Sequence, residues 1–161
     1  MKKCSLLFFV RTLGLLLLFS LANFSVAENV ADATAGVGGD YQDIGDYRIF
    51  YTLFPSTFVP ANIAASYGLK RSKYENVLNV FVAQKGEPGG IKSDISGTTK
   101  NLMQQLKPLT FQEIAEKDTV YYLAPVRITG EETMHFDITL TPKKSDKPLT
   151  LKFTKKVYAG N

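Results

Sequence analysis

The sequence predicts an all-β, mainly antiparallel domain, built as a sandwich of about seven strands with immunoglobulin-like architecture and no disulfide. Three observations support this fold class. Short stretches of alternating apolar and polar residues recur, with turn residues at roughly 8–12 residue spacing. Only one stretch suits a helix, so parallel βαβ units cannot be built. The chain has one cysteine and no tryptophan, so the disulfide-centred core of antibody domains is absent. A small β-barrel is the alternative.

The first 27 residues have the three-part pattern of a cleaved signal peptide. Lys2, Lys3 and Arg11 precede an apolar run at residues 13–22, and no acidic residue accompanies them. Small side chains then stand at Ser25 and Ala27, the positions that a signal peptidase reads. We therefore expect cleavage after Ala27, a periplasmic location and no transmembrane anchor after cleavage.

The elements of the mature chain follow in order. Residues 28–43 are rich in Gly, Ala and Asp without an apolar period, which predicts a flexible lead-in before a single domain at 44–158. One short helix is predicted near residues 60–67, since Pro60 begins it and Gly68 follows it. Residues 101–106 fit either a helix or a strand. The strands are predicted at 46–54, 76–84, 91–99, 110–115, 119–129, 133–141 and 149–158.

Apolar patterning refines the strand assignments. Residues 76–84 are almost continuously apolar, which favours a central position in a sheet. Residues 133–141 and 149–158 alternate strictly, which predicts a hairpin with one buried face. Gly97 indicates a bulge, and Pro125 indicates an edge position or a bulge. The inward residues are predicted to be Met134, Phe136, Ile138, Leu140, Leu149, Leu151 and Phe153.

Charge limits the possible partners. The whole chain carries 19 basic and 15 acidic residues, but three of the basic ones lie in the predicted signal peptide. The mature chain is therefore nearly neutral, which argues against a nucleic-acid partner. Its charge is polarised, because residues 28–46 are acidic and residues 143–156 are rich in lysine. Lysine on a terminal strand is typical of protection against edge-to-edge aggregation. The other interpretation is docking on an anionic envelope surface through Lys152, Lys155 and Lys156.

Residue types exclude several chemistries. The only cysteine, Cys4, lies in the predicted signal peptide, so the mature chain has no thiol for catalysis or metal binding. His135 is the only histidine, and it shares a strand face with Asp137. Such a pair can serve base catalysis, but no nucleophile elbow accompanies it, so a solvated surface pair is the favoured interpretation. We predict no catalytic, cofactor-binding or metal site.

A candidate interaction surface follows the predicted helix. Tyr67 and Tyr74 flank a short basic cluster that contains Arg71, and Arg127 is expected on a later strand. Aromatic and guanidinium groups together suit contact with an anion or a glycan. A solvated loop is the alternative interpretation.

Several segments taken in order resemble a family of small exported gammaproteobacterial proteins known as a domain of unknown function. They are YRIFYTLFPSTFVPANIAASYGLKRSKYENVLNV, ISGTTKNLMQQLKPLTFQEIAEKDTVYYLAPVRI, EETMHFDITLTP and LTLKFTKKVY. The resemblance covers residues 43–158. It implies a periplasmic, mostly β protein and carries no catalytic assignment. One departure is Ala61, where the family often has an acidic residue.

These features together predict a non-enzymatic periplasmic binding or accessory protein, whose partner is an envelope protein or an anionic envelope surface. One alternative is a small-ligand carrier with an apolar cavity between the sheets. The other is a hydrolase of envelope polymers that uses two carboxylates from Asp94, Glu131 and Asp137.

Overall fold

Nine β-strands, one α-helix and one 3-10 turn form the part of the chain that the computed structural model describes, residues 39–117 and 119–159. The 3-10 turn, Ser56–Phe58, and the helix α1, Ala61–Ser66, lie between the second and third strands. The strands are β1 (Asp40–Ile44), β2 (Tyr47–Pro55), β3 (Glu75–Gln84), β4 (Ser93–Asn101), β5 (Leu106–Leu109), β6 (Gln112–Glu116), β7 (Thr119–Arg127), β8 (Glu132–Pro142) and β9 (Leu149–Val157).

The strands form two antiparallel sheets. One has five strands in the order β1-β2-β3-β7-β6, and the other has four in the order β5-β4-β8-β9. The sheets do not close on each other, so the sandwich is confirmed and the barrel alternative is wrong. The chain passes between the sheets at β3–β4, β5–β6 and β7–β8.

The inner faces of the sheets supply the core. Alternate residues of β8 point inward, as predicted, and each is no more than 2% exposed. Strand β3 is central in the five-stranded sheet and is buried on both faces, which confirms its apolar pattern as that of a central strand. The space between the sheets is filled by large side chains, among them Ile49, Leu78, Tyr122, Ile138 and Leu151.

Two specific contacts join the sheets. The backbone N–H of Ser93 in β4 donates a hydrogen bond to the hydroxyl oxygen of Tyr122 in β7, at 2.6 Å within the core. At the side of the sandwich, the ring of Phe153 in β9 stacks on Tyr51 of β2 and on Phe136 of β8, with ring centroids 4.2 and 4.5 Å apart. These contacts fix how the sheets lie against each other.

The predicted hairpin and helix are confirmed, and the bulge predicted at Gly97 is wrong. Strands β8 and β9 form the predicted hairpin, and the short helix lies where predicted, with Pro60 as its N-cap. Gly97 makes no bulge, because β4 pairs with β8 in continuous register. A side chain there would place its Cβ 2.9 Å from the carbonyl oxygen of Asp137. Pro125 lies in β7, an interior strand, but β6 pairs only with residues 119–123 of that strand. One side of β7 is therefore unpaired at Pro125, as at a sheet edge, which is where a proline is tolerated.

Two further strands differ from the prediction. Residues 40–43, predicted to be flexible, form most of β1, which pairs with β2 along its whole length. Residues 101–106 are neither a helix nor a continuous strand. Asn101 ends β4, residues 102–105 form a tight turn in which Gln104 adopts a positive φ of 62°, and Leu106 begins β5, a strand that was not predicted. The predicted signal peptide at 1–27 and the remainder of the lead-in before residue 39 lie outside the described residues.

Candidate interaction surface

Seven strand ends meet at one end of the sandwich. Residues 128–131 pass directly from β7 to β8, and the backbone N–H of Ala159 donates to the carbonyl of Gly130 at 3.1 Å, so the sheets are tied together there. Backbone pairing brings these strand ends together: Pro55, Glu75 and Arg127 in the five-stranded sheet, and Asn101, Leu106, Glu132 and Val157 in the four-stranded sheet. We call this region the apolar end.

Exposed large hydrophobic side chains concentrate at the apolar end. Among the described residues eight such side chains are exposed, and six of them lie within three residues of these strand ends. The six are Phe58, Tyr74, Leu102, Met103, Leu106 and Tyr158, which are between 44% and 76% exposed. An exposed apolar patch on a small protein is typical of a contact surface for a protein or a membrane.

The β4–β5 hairpin presents two of these side chains on a well-ordered turn. Asn101 is 7% exposed, and its amide both accepts from the backbone N–H of Gln105 and donates to the Gln105 side-chain oxygen, at 3.1 and 2.8 Å. The backbone N–H of Gln104 donates to the Asn101 carbonyl at 3.0 Å. These bonds close the turn, so Leu102 and Met103 are held in a defined position although they are 66% and 74% exposed.

Basic residues surround the apolar side chains. They outnumber the acidic residues seven to four if Asp40, which pairs with Lys155, is included. Lys156 pairs with Glu131, and this hydrogen bond raises the pKa of the Lys156 ammonium. Hydrogen bonds from Thr129 lower the pKa of the Glu132 carboxyl. The basic residues are Arg71, Lys73, Lys100, Lys107, Arg127, Lys155 and Lys156, and the acidic ones are Asp40, Glu75, Glu131 and Glu132.

The opposite end of the sandwich, which we call the far end, has a different character. It consists of the β1–β2, β3–β4, β6–β7 and β8–β9 turns. None of the exposed large hydrophobic side chains of the described residues lies in these turns. Ion pairs occur there instead, such as Lys144 with Glu87 at 3.0 Å and Lys143 with Asp94 at 2.6 Å. Of the two ends, only the apolar end therefore carries exposed large hydrophobic side chains among the described residues.

Three of the four predicted interaction residues lie at the apolar end. Arg71 donates to the carbonyl of Thr57 at 2.9 Å, which holds the loop before β3 against the 3-10 turn. Arg127 lies at the end of β7, opposite Glu75, the residue after Tyr74. Tyr67 is directed elsewhere. Its hydroxyl donates to the Glu116 carboxylate on β6 at 2.6 Å, and that hydrogen bond raises the Tyr67 pKa.

The predicted basic strand is largely neutralised by its neighbours. Lys152 pairs with Asp137 on the adjacent strand at 2.7 Å. Lys155 contacts Asp40 of β1, and Lys156 contacts Glu131. The acidic start and the basic end of the mature chain therefore meet at one point in the fold. Such exposed pairs add little stability, but they leave less free positive charge on β9 than the sequence alone indicates.

His135 lies beside an open groove on the outer face of the four-stranded sheet. The groove has a volume of about 490 Å³, and its lining includes Lys100, His135, Asp137 and Lys152. The His135 Nδ1 atom lies 2.8 Å from the Thr154 hydroxyl, while Asp137 is paired with Lys152. The histidine and the carboxylate thus have separate partners, which supports a solvated pair over a catalytic one.

The carboxylates considered for hydrolysis do not converge. Asp137 is opposite Thr98 in β4, four residues from Asp94, which separates the two carboxyl-bearing residues by about 13 Å along the sheet. Each has its own lysine partner, as does Glu131 at the apolar end. Two glycosidase carboxylates are about 5–9.5 Å apart, so this arrangement does not match that chemistry.

Five of the six exposed hydrophobic residues at the apolar end are missing from the predicted sites. Leu102, Met103 and Leu106 lie in the segment whose structure the sequence left open, and Phe58 stands between two prolines. Tyr158 is the last residue of the final predicted strand. For Leu102 and Met103 a signal was present. An apolar pair between Asn101 and two glutamines has no strand or helix period to bury it, which is typical of an exposed loop.

Comparison with known proteins identifies the family. The sequence profile of DUF4426, described as a domain of unknown function, matches residues 41–160. The chain belongs to the DUF4426 family. A crystal structure of a DUF4426 protein from Pseudomonas aeruginosa PAO1 is 32% identical, with a TM-score of 0.69 over 77% of this chain and 98% of that one. The resemblance to a domain of unknown function, drawn from the sequence, is thereby confirmed.

More distant structures share the fold. FetP of uropathogenic Escherichia coli strain F11, produced in the periplasm, is 16% identical, with a TM-score of 0.58 over 76% of this chain and 95% of FetP. A copper-bound variant of FetP gives a TM-score of 0.56 at the same identity, over 76% of this chain and 96% of that one. No curated protein matches the chain significantly. Within the described residues, no helix is long and apolar enough to cross a bilayer.

Proposed function

We propose that this DUF4426 protein is an exported, periplasmic, non-enzymatic binding protein that contacts its partner through the apolar end of the sandwich. The observation that carries the proposal is the collection of six exposed large hydrophobic side chains on that end. Exposing them to water is unfavourable, and a partner that covers them recovers part of that free energy. The closed β4–β5 turn supports the proposal, because a pre-ordered surface loses less entropy on binding.

Export is supported by the sequence pattern of residues 1–27 and by the periplasmic production of FetP, which shares the fold. Among the roles open to an exported domain of this kind, catalysis has the least support. The carboxylates are dispersed, and His135 pairs with a threonine hydroxyl. A carrier role has less support than surface binding, because large side chains occupy the space between the sheets.

Copper binding of the kind seen in the FetP variant does not fit this chain. Biological copper sites use nitrogen and sulphur ligands from His, Cys and Met. His135 is the only histidine. Of the two methionines in the described residues, Met134 is buried in the core and Met103 is exposed at the tip of the β4–β5 turn. No group of three histidine, cysteine or acidic side chains among residues 39–117 and 119–159 is placed to hold a metal ion. We therefore do not extend the copper chemistry to this protein.

Site-specific photocross-linking in living cells tests the proposal. A photoreactive phenylalanine analogue replaces Leu102 in one strain, Tyr41 in a second and Lys144 at the far end in a third. All three positions are exposed, so these changes are compatible with the fold. We expect adducts with protein or lipid from position 102, and none from the control positions 41 and 144. Equal yields from position 102 and the control positions, or none from position 102, contradict the proposal.

A further inference from the structure

Three features of the apolar end together indicate what covers it. The first is the protruding β4–β5 turn. Leu102 and Met103 occupy its tip and are 66% and 74% exposed, while Asn101 at its base is buried and hydrogen-bonded to Gln105. A rigid turn with two large apolar side chains at its tip has the shape and composition to enter the boundary between lipid headgroups and acyl chains.

The second feature is a pair of exposed tyrosines, each with a lysine. The ammonium of Lys73 lies 5.2 Å from the ring centre of Tyr74, and that of Lys156 lies 5.5 Å from the ring centre of Tyr158. Tyrosine is enriched where apolar and aqueous phases meet, because its ring is apolar and its hydroxyl is polar. A lysine beside it, such as Lys73, can extend its ammonium toward water and phosphate, whereas the Lys156 ammonium is paired with Glu131.

The third feature is the distribution of charge and apolar surface between the two ends. At the apolar end basic residues exceed acidic ones by seven to four, even though two of the lysines are already paired. The far end instead pairs its lysines with carboxylates, as in Lys144 with Glu87, and holds none of the exposed large hydrophobic side chains of the described residues. Positive charge and exposed apolar groups thus coincide on one surface, which is complementary to an anionic bilayer.

We infer that the partner of the apolar end is an anionic phospholipid bilayer, with Leu102 and Met103 inserted at the headgroup boundary and the surrounding basic residues against lipid phosphates. The inference rests on the proposed function and specifies its partner. A bilayer fits better than a protein, because the apolar side chains come from several separate strand ends. A fluid interface accepts such a set without the shape complementarity that a protein interface needs. Because the lysines of β9 are paired with acidic residues, we assign the contacts with lipid phosphates to other basic residues. These are Lys73, Lys100, Lys107 and Arg127.

A single introduced tryptophan tests the inference, because the natural chain has none. Leu102→Trp reports on the turn and Tyr41→Trp, on the exposed edge strand β1, is the matched control. The exported chain is mixed with vesicles of phosphatidylethanolamine with phosphatidylglycerol, or of phosphatidylcholine alone. We expect a blue shift of the Leu102→Trp emission with the anionic vesicles, a much smaller shift with phosphatidylcholine, and none for Tyr41→Trp.

Charge variants test the electrostatic part. Lys100→Gln combined with Lys107→Gln removes two charges at the apolar end, and Lys144→Gln combined with Lys147→Gln removes two at the far end. In the Leu102→Trp background, the first pair should weaken vesicle affinity by about tenfold or more and reduce its salt dependence. The second pair should change the affinity less than twofold, by the same electrostatic reasoning.

The outcomes separate the two proposals. No shift with any vesicle, or equal shifts for Leu102→Trp and Tyr41→Trp, overturns bilayer docking. If a protein adduct nevertheless forms at position 102 in cells, the binding function stands and its partner is a protein. If neither vesicles nor cross-linking engage position 102, both proposals fail.

Discussion

Single side chains in this protein act mainly by fixing strand ends and joining the sheets. Arg48 and Lys85 hold the Asp43 carboxylate beside the turn of the β1–β2 hairpin, at 2.7 and 3.4 Å. Tyr122 joins the sheets through the buried hydrogen bond with Ser93, and burial raises the pKa of its hydroxyl. Both contacts connect residues of different strands, so each has a measurable effect.

Replacing Arg48 with alanine should raise the pKa of the Asp43 carboxyl toward its ordinary value. The hydrogen bond and charge of the guanidinium lower the pKa of this carboxyl from 3.8 to about 2. Because the pKa is lower in the folded state, the stabilisation is present above pH 3.8 and is lost as the pH falls toward 2. Carbon-detected NMR titration should show the Asp43 pKa rising toward 3.8 in Arg48→Ala. An unchanged low pKa in that variant would show that Lys85 alone is sufficient.

Tyr122→Phe should lower the free energy of unfolding by about 1–3 kcal/mol, because the buried N–H of Ser93 loses its acceptor. Urea unfolding measures this difference. Tyr121→Phe is the control, since Tyr121 packs on the outer cluster with Phe81 and not between the sheets. Equal effects of the two substitutions would contradict the role assigned to the inter-sheet hydrogen bond.

Among the strands and turns, those with alternating apolar and polar residues could be predicted from the sequence, and some of the others could not. Strands β8 and β9 were predictable because apolar and polar residues alternate strictly along them. Only one orientation of such a strand buries all its apolar side chains on one face. Strand β1 was not, because DYQDI is polar and almost entirely exposed, and it is ordered by pairing with β2. The turn at 101–106 was missed because its structure depends on the buried side chain of Asn101, not on a repeating pattern. Of the candidate site, the sequence could indicate Arg71, Tyr74 and Arg127, but their grouping with Leu102 depends on strand register.

Asn101→Ala should loosen the β4–β5 turn, since both side-chain hydrogen bonds to Gln105 are lost. We expect a loss of about 1–2 kcal/mol in unfolding free energy and faster amide hydrogen exchange at Gln105. Gln105→Ala is the matched control, because it removes one of the two bonds and keeps the backbone N–H bond to Asn101. A smaller effect in Asn101→Ala than in Gln105→Ala would contradict this account of the turn.

The whole molecule is polarised between two ends. Ion pairs that join the β8–β9 turn to the β3–β4 turn and to β4 occupy the far end, and exposed apolar side chains with excess positive charge occupy the apolar end. The strand order explains this, because the strand ends at Pro55, Arg127 and Val157 are brought together by pairing and by the short β7–β8 link. Folding alone does not require exposed Leu102 and Met103, whereas a surface that docks on a partner does.

Oxidation of the two methionines in the described residues tests the central claim, that the apolar end is covered in the cell, most directly. Met103 is 74% exposed and Met134 is 1% exposed, so the second is an internal control. Cells and purified protein are treated with hydrogen peroxide, and sulfoxide formation is followed by peptide mass spectrometry. The account predicts that Met103 oxidises rapidly in the purified protein and several-fold more slowly in intact cells, while Met134 is protected in both. Equal rates for Met103 in the two settings would contradict it.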